Sequence, residues 1–192
     1  MHHLGKILGA LLLAPCAVLA EPSYTADNKM AVPGDYRQWV FLTSSIDLNY
    51  NTAVEPGPNQ MHMLDNVFVD PDAYKAFLKS GTWPDKTILI KENRAAESAG
   101  TLSKSGRFQA GVHNLEIHVK DEARFSGKWA FFVSADGKAP GALMPQSANC
   151  YSCHQDHAAS DTTFVQFYPT LFGIAKDKGT LSAAYLKDSA AK

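Results

Sequence analysis

The sequence predicts an α+β domain on three observations. Five short runs rich in β-branched and aromatic residues fill its middle, a capped helical segment interrupts them, and the pattern turns helical again beyond residue 154. The strand-like runs lie at 39–44, 66–69, 87–92, 108–120 and 129–133, the fourth expected to break near Gly111. Between the second and third, Asp70-Pro71 joins an N-cap to a proline suited to the first helical position. Ala73, Tyr74, Phe77 and Leu78 then recur at helical spacing, and Gly81 supplies a stop. The polar, glycine-bearing stretch 93–107 reads as a flexible loop between two strands. Beyond the last strand, Asp161 is the expected cap of a helical stretch carrying Phe164, Val165, Phe167 and Tyr168. Pro169 should interrupt that stretch, and the tail from Thr180 is expected to add a final helix.

Residues 1–20 read as a secretion signal: a short basic start ending at Lys6 runs into an apolar stretch that closes on Val18-Leu19-Ala20. Cys16 follows Pro15, a poor setting for a lipoprotein site, and is expected to leave with the signal. Residues 21–192 then form one expected domain, large enough for a real core and without repeats or a second apolar span. The net charge is −1 with both signs interspersed, which argues against a nucleic-acid partner. No membrane association is expected after cleavage.

Two cysteines remain, in Cys150-Tyr151-Ser152-Cys153-His154. This spacing matches the attachment motif for c-type haem, in which two thiols form thioethers with the porphyrin and the adjacent histidine becomes an axial iron ligand. The alternatives are a redox dithiol, or half of a zinc site completed by histidines such as His157. Zinc would usually draw on more cysteines, and a thioredoxin-like motif belongs near the start of a βαβ unit. The motif lies near the C-terminus and no methionine follows His154. Met61, Met63 and Met144 remain as axial candidates, but an open sixth position, suited to binding or transforming small molecules, is the preferred expectation.

Several stretches together resemble the cytochrome P-460 family, which includes the cytochromes called c-prime-beta. They are the run Asp35-Tyr36-Arg37-Gln38-Trp39-Val40, residues 66–77, 82–92 and 115–125, Trp129-Ala130-Phe131-Phe132, the haem motif, and residues 163–171. The resemblance covers about residues 33–171. It implies a predominantly antiparallel β-sheet with a few short helices, one covalently attached haem c per chain near the C-terminus, a five-coordinate iron, a homodimer and a periplasmic location.

Within that family, cytochrome P-460 proper carries a lysine joined to a porphyrin meso carbon, and Lys91 stands at the matching position. Strand alternation puts Lys91 on one face with Leu89 and Thr87, and Ile88, Ile90 and Glu92 on the other. Without the crosslink Lys91 would be an ordinary solvated strand-end lysine. Lys86, at a turn, and Lys79, on the helix, are poorer candidates. Glu116 matches the place where active relatives set a carboxylate near the distal iron face, and there it would take protons from hydroxylamine as electrons leave. A surface pair with His118 is its bland alternative. His113 and His118 are further candidates for proton transfer, Phe108 and Phe131 for capping the pocket, and Arg37, Arg107 and Arg124 for binding the haem propionates.

The leading expectation is a hydroxylamine-oxidising haem oxidoreductase giving nitric or nitrous oxide, with a redox partner such as a soluble cytochrome c. The alternatives are a non-catalytic nitric oxide-binding cytochrome of the c-prime-beta type and a simple electron-transfer cytochrome c.

Overall fold

A computed structural model describes residues 21–48, 61–98 and 105–190. The expected secretion signal lies outside them. The described chain is an antiparallel sheet, β1 (Val40–Ile46), β2 (Met63–Val69), β3 (Ile88–Glu97), β4 (Phe108–Lys120), β5 (Trp129–Ser134) and β6 (Ala142–Leu143), paired in sequence order, with the α-helices on one face and the 3-10 helix Tyr36–Gln38 on the other. The α+β expectation is met.

Helix α1 (Pro71–Ser80) follows from its ends. The Asp70 carboxylate accepts from the backbone N–H of Asp72 and of Ala73, both at 2.9 Å, and Pro71 fills the first turn, where a missing N–H costs nothing. Gly81 closes the helix at φ 76°, a left-handed conformation that favours glycine, with its N–H on the Phe77 carbonyl. A side chain at Gly81 would also meet Thr180 Oγ1 at 2.7 Å.

Alternation along β3 and β4 sorts the sheet into two faces. Ile88, Ile90, Leu115, Ile117 and Val119 point to one side, where the N-terminal segment covers them with Met30, Tyr36 and Trp39. Glu92 lies on that side too, buried, and receives Tyr36 Oη, Arg94 Nε and Arg37 Nε. Burial raises its pKa, but hydrogen bonds from Arg94, Tyr36 and Arg37 outweigh this and hold the value at about 2. On the opposite face, Val69 and Leu89 pack with Phe77 and Trp83 and with Leu171 and Ala175 of helix α3 (Pro169–Asp177). Helix α2 (Asn149–His157) has no fully buried residue, and helix α4 (Ala183–Ala190) ends the described chain.

Four local expectations are corrected. Residues 93–97 continue β3 instead of opening a loop, because Ala95 pairs with Met63 on one side and Arg94 with Val112 on the other, completing both ladders. The fourth strand runs through Gly111 unbroken. The irregularity there is a pair of register slips against β3, between Asn93 and Arg94 and between Arg94 and Ala96. Pro169 begins α3, where its fixed φ is an asset, and Asp161 caps no helix: it sits at φ 49° in the turn before the 3-10 segment Val165–Phe167.

Candidate functional site

Between the sheet face bearing Leu89, Lys91 and Glu116 and the helix α2 lies a cavity of about 750 Å³. That falls within the roughly 300–1,000 Å³ usual for small-molecule and cofactor sites. Cys150, Cys153, His154 and His157 all line it. Their spacing of three, four and seven residues explains this, since it places them on one side of α2. The helix has no side-chain cap at Ala148, and tertiary contacts fix it. The Tyr151 hydroxyl donates to the Met144 carbonyl at 3.2 Å, and its ring meets Phe131 edge-on at 4.9 Å.

His154 is held on several sides. Its Nδ1 donates to the Thr162 carbonyl at 2.7 Å, leaving Nε2 as the ring nitrogen open to a ligand. The rings of Phe164, Phe131 and His118 surround it at 4.3, 4.6 and 4.9 Å. Burial lowers its pKa to about 4, only partly offset by the Thr162 bond, so the neutral, ligating form prevails at neutral pH. The Thr162 carbonyl is aimed by two successive left-handed residues, Asp161 at φ 49° and Thr162 at φ 54°. The Asp161 carboxylate in turn accepts from Lys120 Nζ at 2.8 Å, Trp129 Nε1 at 3.2 Å and the Trp83 backbone N–H at 3.3 Å.

Both thiols have pKa values raised, chiefly by burial. A redox dithiol needs the opposite, a stabilised thiolate. No group of three or more His, Cys, Asp or Glu with metal-holding geometry occurs among the described residues, which leaves the zinc alternative without a ligand set.

Across the cavity, Lys91 and Glu116 stand directly opposite each other on β3 and β4. Lys91 Nζ is 3.5 Å from both Glu116 oxygens and 3.8 Å from Asp65 Oδ1, and Asn93 Nδ2 donates to Glu116 Oε1 at 2.9 Å. Lys91 and Glu116 are 35% and 46% exposed at the side chain, whereas Asp65 is 7% exposed. Asp65 was not singled out in the sequence. Its alternation with Val67 and Val69, once β2 is paired with β3, is the signal that places it on the cavity face.

His118 also faces the cavity. It is stacked on Phe131 at 4.1 Å and packed against Trp129 at 4.3 Å, and its Nε2 is buried without a hydrogen-bond partner among the described residues. Burial, then the neighbouring His154, keeps its pKa well below the ordinary value. Phe131 lines the cavity, but Phe108 is exposed elsewhere and His113 is an exposed strand residue. Among the described residues that line the cavity there is no methionine, so Met61, Met63 and Met144 lose their axial candidacy. The three arginines are likewise engaged elsewhere: Arg37 with Glu92, Arg107 with the Ala96 carbonyl, Arg124 with Asn28. Lys86 pairs with Asp121 at its turn.

The family model for cytochrome P-460 matches residues 33–165. The chain belongs to the cytochrome P-460 family. No curated protein matches it. Membership makes it a haem protein, and the cavity fits that group in size, in its ring-lined apolar wall, and in having a histidine whose Nδ1 is already engaged. Cys150 and Cys153 stand on the same side of the helix as that histidine and line the same cavity.

Proposed function

We propose that the protein is an exported c-type haem oxidoreductase that oxidises hydroxylamine. In this reading Cys150 and Cys153 carry the porphyrin as thioethers, His154 is the axial ligand, Lys91 is joined to the same porphyrin, and Glu116 is the base. The observation that carries it is the meeting of Lys91 and Glu116 across two strands, at 3.5 Å, in the cavity that His154 lines. The haem supplies the binding position for the nitrogen and the path by which electrons leave.

Hydroxylamine going to nitric oxide releases three protons with three electrons, so a proton acceptor is required. Glu116 provides one, with Asn93 Nδ2 on Oε1 fixing its orientation and about half of its surface open to solvent, to which protons can pass. His154 Nδ1 keeps its proton on the Thr162 carbonyl, which orients the ring and increases its basicity toward a ligand. Phe131, Phe164 and the neutral His118 keep the wall around His154 apolar. The electrons pass to an external carrier such as a soluble cytochrome c. Export through residues 1–20 to the periplasm and a homodimeric state belong to the same proposal, on the family resemblance.

The second reading is a nitric oxide-binding cytochrome without turnover. It is favoured by the ion pairing of Lys91 with Glu116 and Asp65, which satisfies the lysine without any bond to porphyrin. Mass spectrometry of haem peptides separates the two. A peptide containing Lys91 on the porphyrin that also carries Cys150 and Cys153 supports the enzyme, and two thioethers alone support gas binding. In the ferrous protein the crosslink should also move the main absorption band far to the red of an ordinary c-type haem.

A further inference from the structure

Asp65 is the buried carboxyl of the cavity wall. It sits in β2 diagonally across from Lys91. Ser45 Oγ on β1 donates to its Oδ2 at 3.3 Å, Lys91 Nζ on β3 lies 3.8 Å from its Oδ1, and the second carboxylate of the cluster, Glu116, faces it from β4. Asp47, just beyond β1, adds a further negative charge nearby, and α2 brings Asp156, His157, Cys150 and Cys153 to the same cavity. Burial pushes the Asp65 carboxyl above the usual carboxylate range, against the pull of Lys91 and Ser45.

The cation offsetting this burial is the same amine that the proposed function joins to porphyrin. A lysine nitrogen bonded to an aromatic carbon is no longer an ammonium ion. Its charge disappears, and two carboxylates then share one end of the cavity, of which the more buried one holds a proton most readily. We infer that Asp65 is the acid of this site: it carries a proton in the loaded protein and gives it to the oxygen that leaves as water, while Glu116 serves as the base. The inference rests on the reading of hydroxylamine as substrate and Lys91 as crosslinked.

The chemistry requires such a donor. Two hydroxylamine molecules give nitrous oxide, one water, four protons and four electrons. An N–N bond forms, one N–O bond breaks, and the electrons go to a one-electron carrier of the c-type cytochrome class. The departing oxygen leaves as water only if protonated, and a proton released by substrate to Glu116 can restore Asp65.

The test is infrared spectroscopy of the ferric holoprotein at neutral pH, with mass spectrometry of the Lys91 link on the same samples. A protonated-carboxyl C=O band should appear in the wild type, vanish in Asp65→Asn and persist in Glu116→Gln. It should also vanish in Lys91→Arg, which keeps a permanent cation beside Asp65 and holds the inference to account even where Asp65→Asn fails to fold. Among products of turnover, the share of nitrous oxide should fall in Asp65→Asn. A missing wild-type band, or one that survives Asp65→Asn, overturns the inference whatever the mass spectrum shows. A missing Lys91 link with the band present overturns the crosslink and, with it, the loss of charge from which the Asp65 proton is inferred.

Discussion

His154 Nδ1 donates to the Thr162 carbonyl at 2.7 Å, and that carbonyl sits in a turn that local sequence preference opposes. Two consecutive non-glycine residues at positive φ are costly, and a β-branched threonine is an unusual occupant of that region. The surroundings impose the turn. Asp161 ties together the Trp83 backbone before β3, Lys120 at the end of β4 and Trp129 at the start of β5, and Thr162 follows with its carbonyl toward His154. The sheet thereby sets the orientation of a ring on a helix that does not itself belong to the core.

Removing this clamp should therefore cost far more than a turn substitution usually does. Asp161→Ala leaves the Lys120 amine, whose side chain is 8% exposed, with the Trp83 carbonyl, a 3.5 Å approach to Glu122 and the Trp129 ring at 5.7 Å, and with no carboxylate at hydrogen-bond distance among the described residues other than Glu122. Breaking a buried pair by deleting one partner costs about 3–5 kcal/mol, and the remaining partners put this case near the low end. Asp161→Asn, which tolerates positive φ and keeps an acceptor oxygen, should recover part of the loss. Denaturant unfolding midpoints of the two variants check this, and equal midpoints for Asp161→Ala and wild type would sink the clamp.

Thr162→Gly should have the opposite sign. The left-handed backbone costs a non-glycine residue about 1–2 kcal/mol, glycine's extra unfolded freedom costs about 0.5–1 kcal/mol, and the substitution also removes Oγ1, which is buried without a hydrogen-bond partner among the described residues. The carbonyl that holds His154 remains. The net expectation is a stabilisation of about 1 kcal/mol, or an increase in Tm of about 2–4 °C for a chain of this size. A lowered Tm would show that the threonine side chain supports the turn.

These features were legible in the sequence to different degrees. Helix α1 was, because its signals are local: Asp70, Pro71 and Gly81 each act within one turn. Helix α2 was not, since Asn149-Cys150-Tyr151-Ser152-Cys153-His154 is a run of poor helix formers without a cap, and tertiary contacts such as that of Tyr151 with Met144 decide it. The extension of β3 over residues 93–97 was hidden for the same reason, as polar residues there become strand only when β2 and β4 supply partners. The haem motif stood out by spacing, and Lys91 and Glu116 by family resemblance. Asp65 lies just outside the strand expected at 66–69, and only the pairing of β2 with β3, which extends β2 back to Met63, places it on the cavity face. Asp161 has the local sequence of a helix cap, but its three donors come from distant parts of the chain, which local sequence does not show.

If Glu116 is the base, Glu116→Gln should preserve shape and the Asn93 contact while removing the proton acceptor. General-base catalysis contributes about 100- to 10,000-fold, so kcat for hydroxylamine-dependent reduction of an artificial acceptor should fall at least about 100-fold. KM should change little, since Gln keeps the polar contact. Asn93→Ala should give a smaller loss by freeing the carboxylate from the 2.9 Å bond that orients it. Steady-state rates in the three proteins measure this, and an unchanged kcat in Glu116→Gln removes the role.

His118 makes stability depend on pH with a definite sign. The ring is buried, Nε2 has no hydrogen-bond partner among the described residues, and its pKa in the folded protein lies well below the ordinary 6.5. Between 6.5 and that lower value the unfolded chain binds a proton that the folded chain refuses, so stability is fully present above about pH 6.5 and falls as the pH drops below it. One such group gives a limiting slope of about 1.4 kcal/mol per pH unit. His118→Phe removes it while keeping a flat ring between Phe131 and Trp129. In the holoprotein, where the proposed ligation of His154 takes that ring out of the titration, unfolding free energies from about pH 6.5 down to about pH 5 should decline less steeply in His118→Phe than in wild type. An identical slope would place the acid sensitivity in another group.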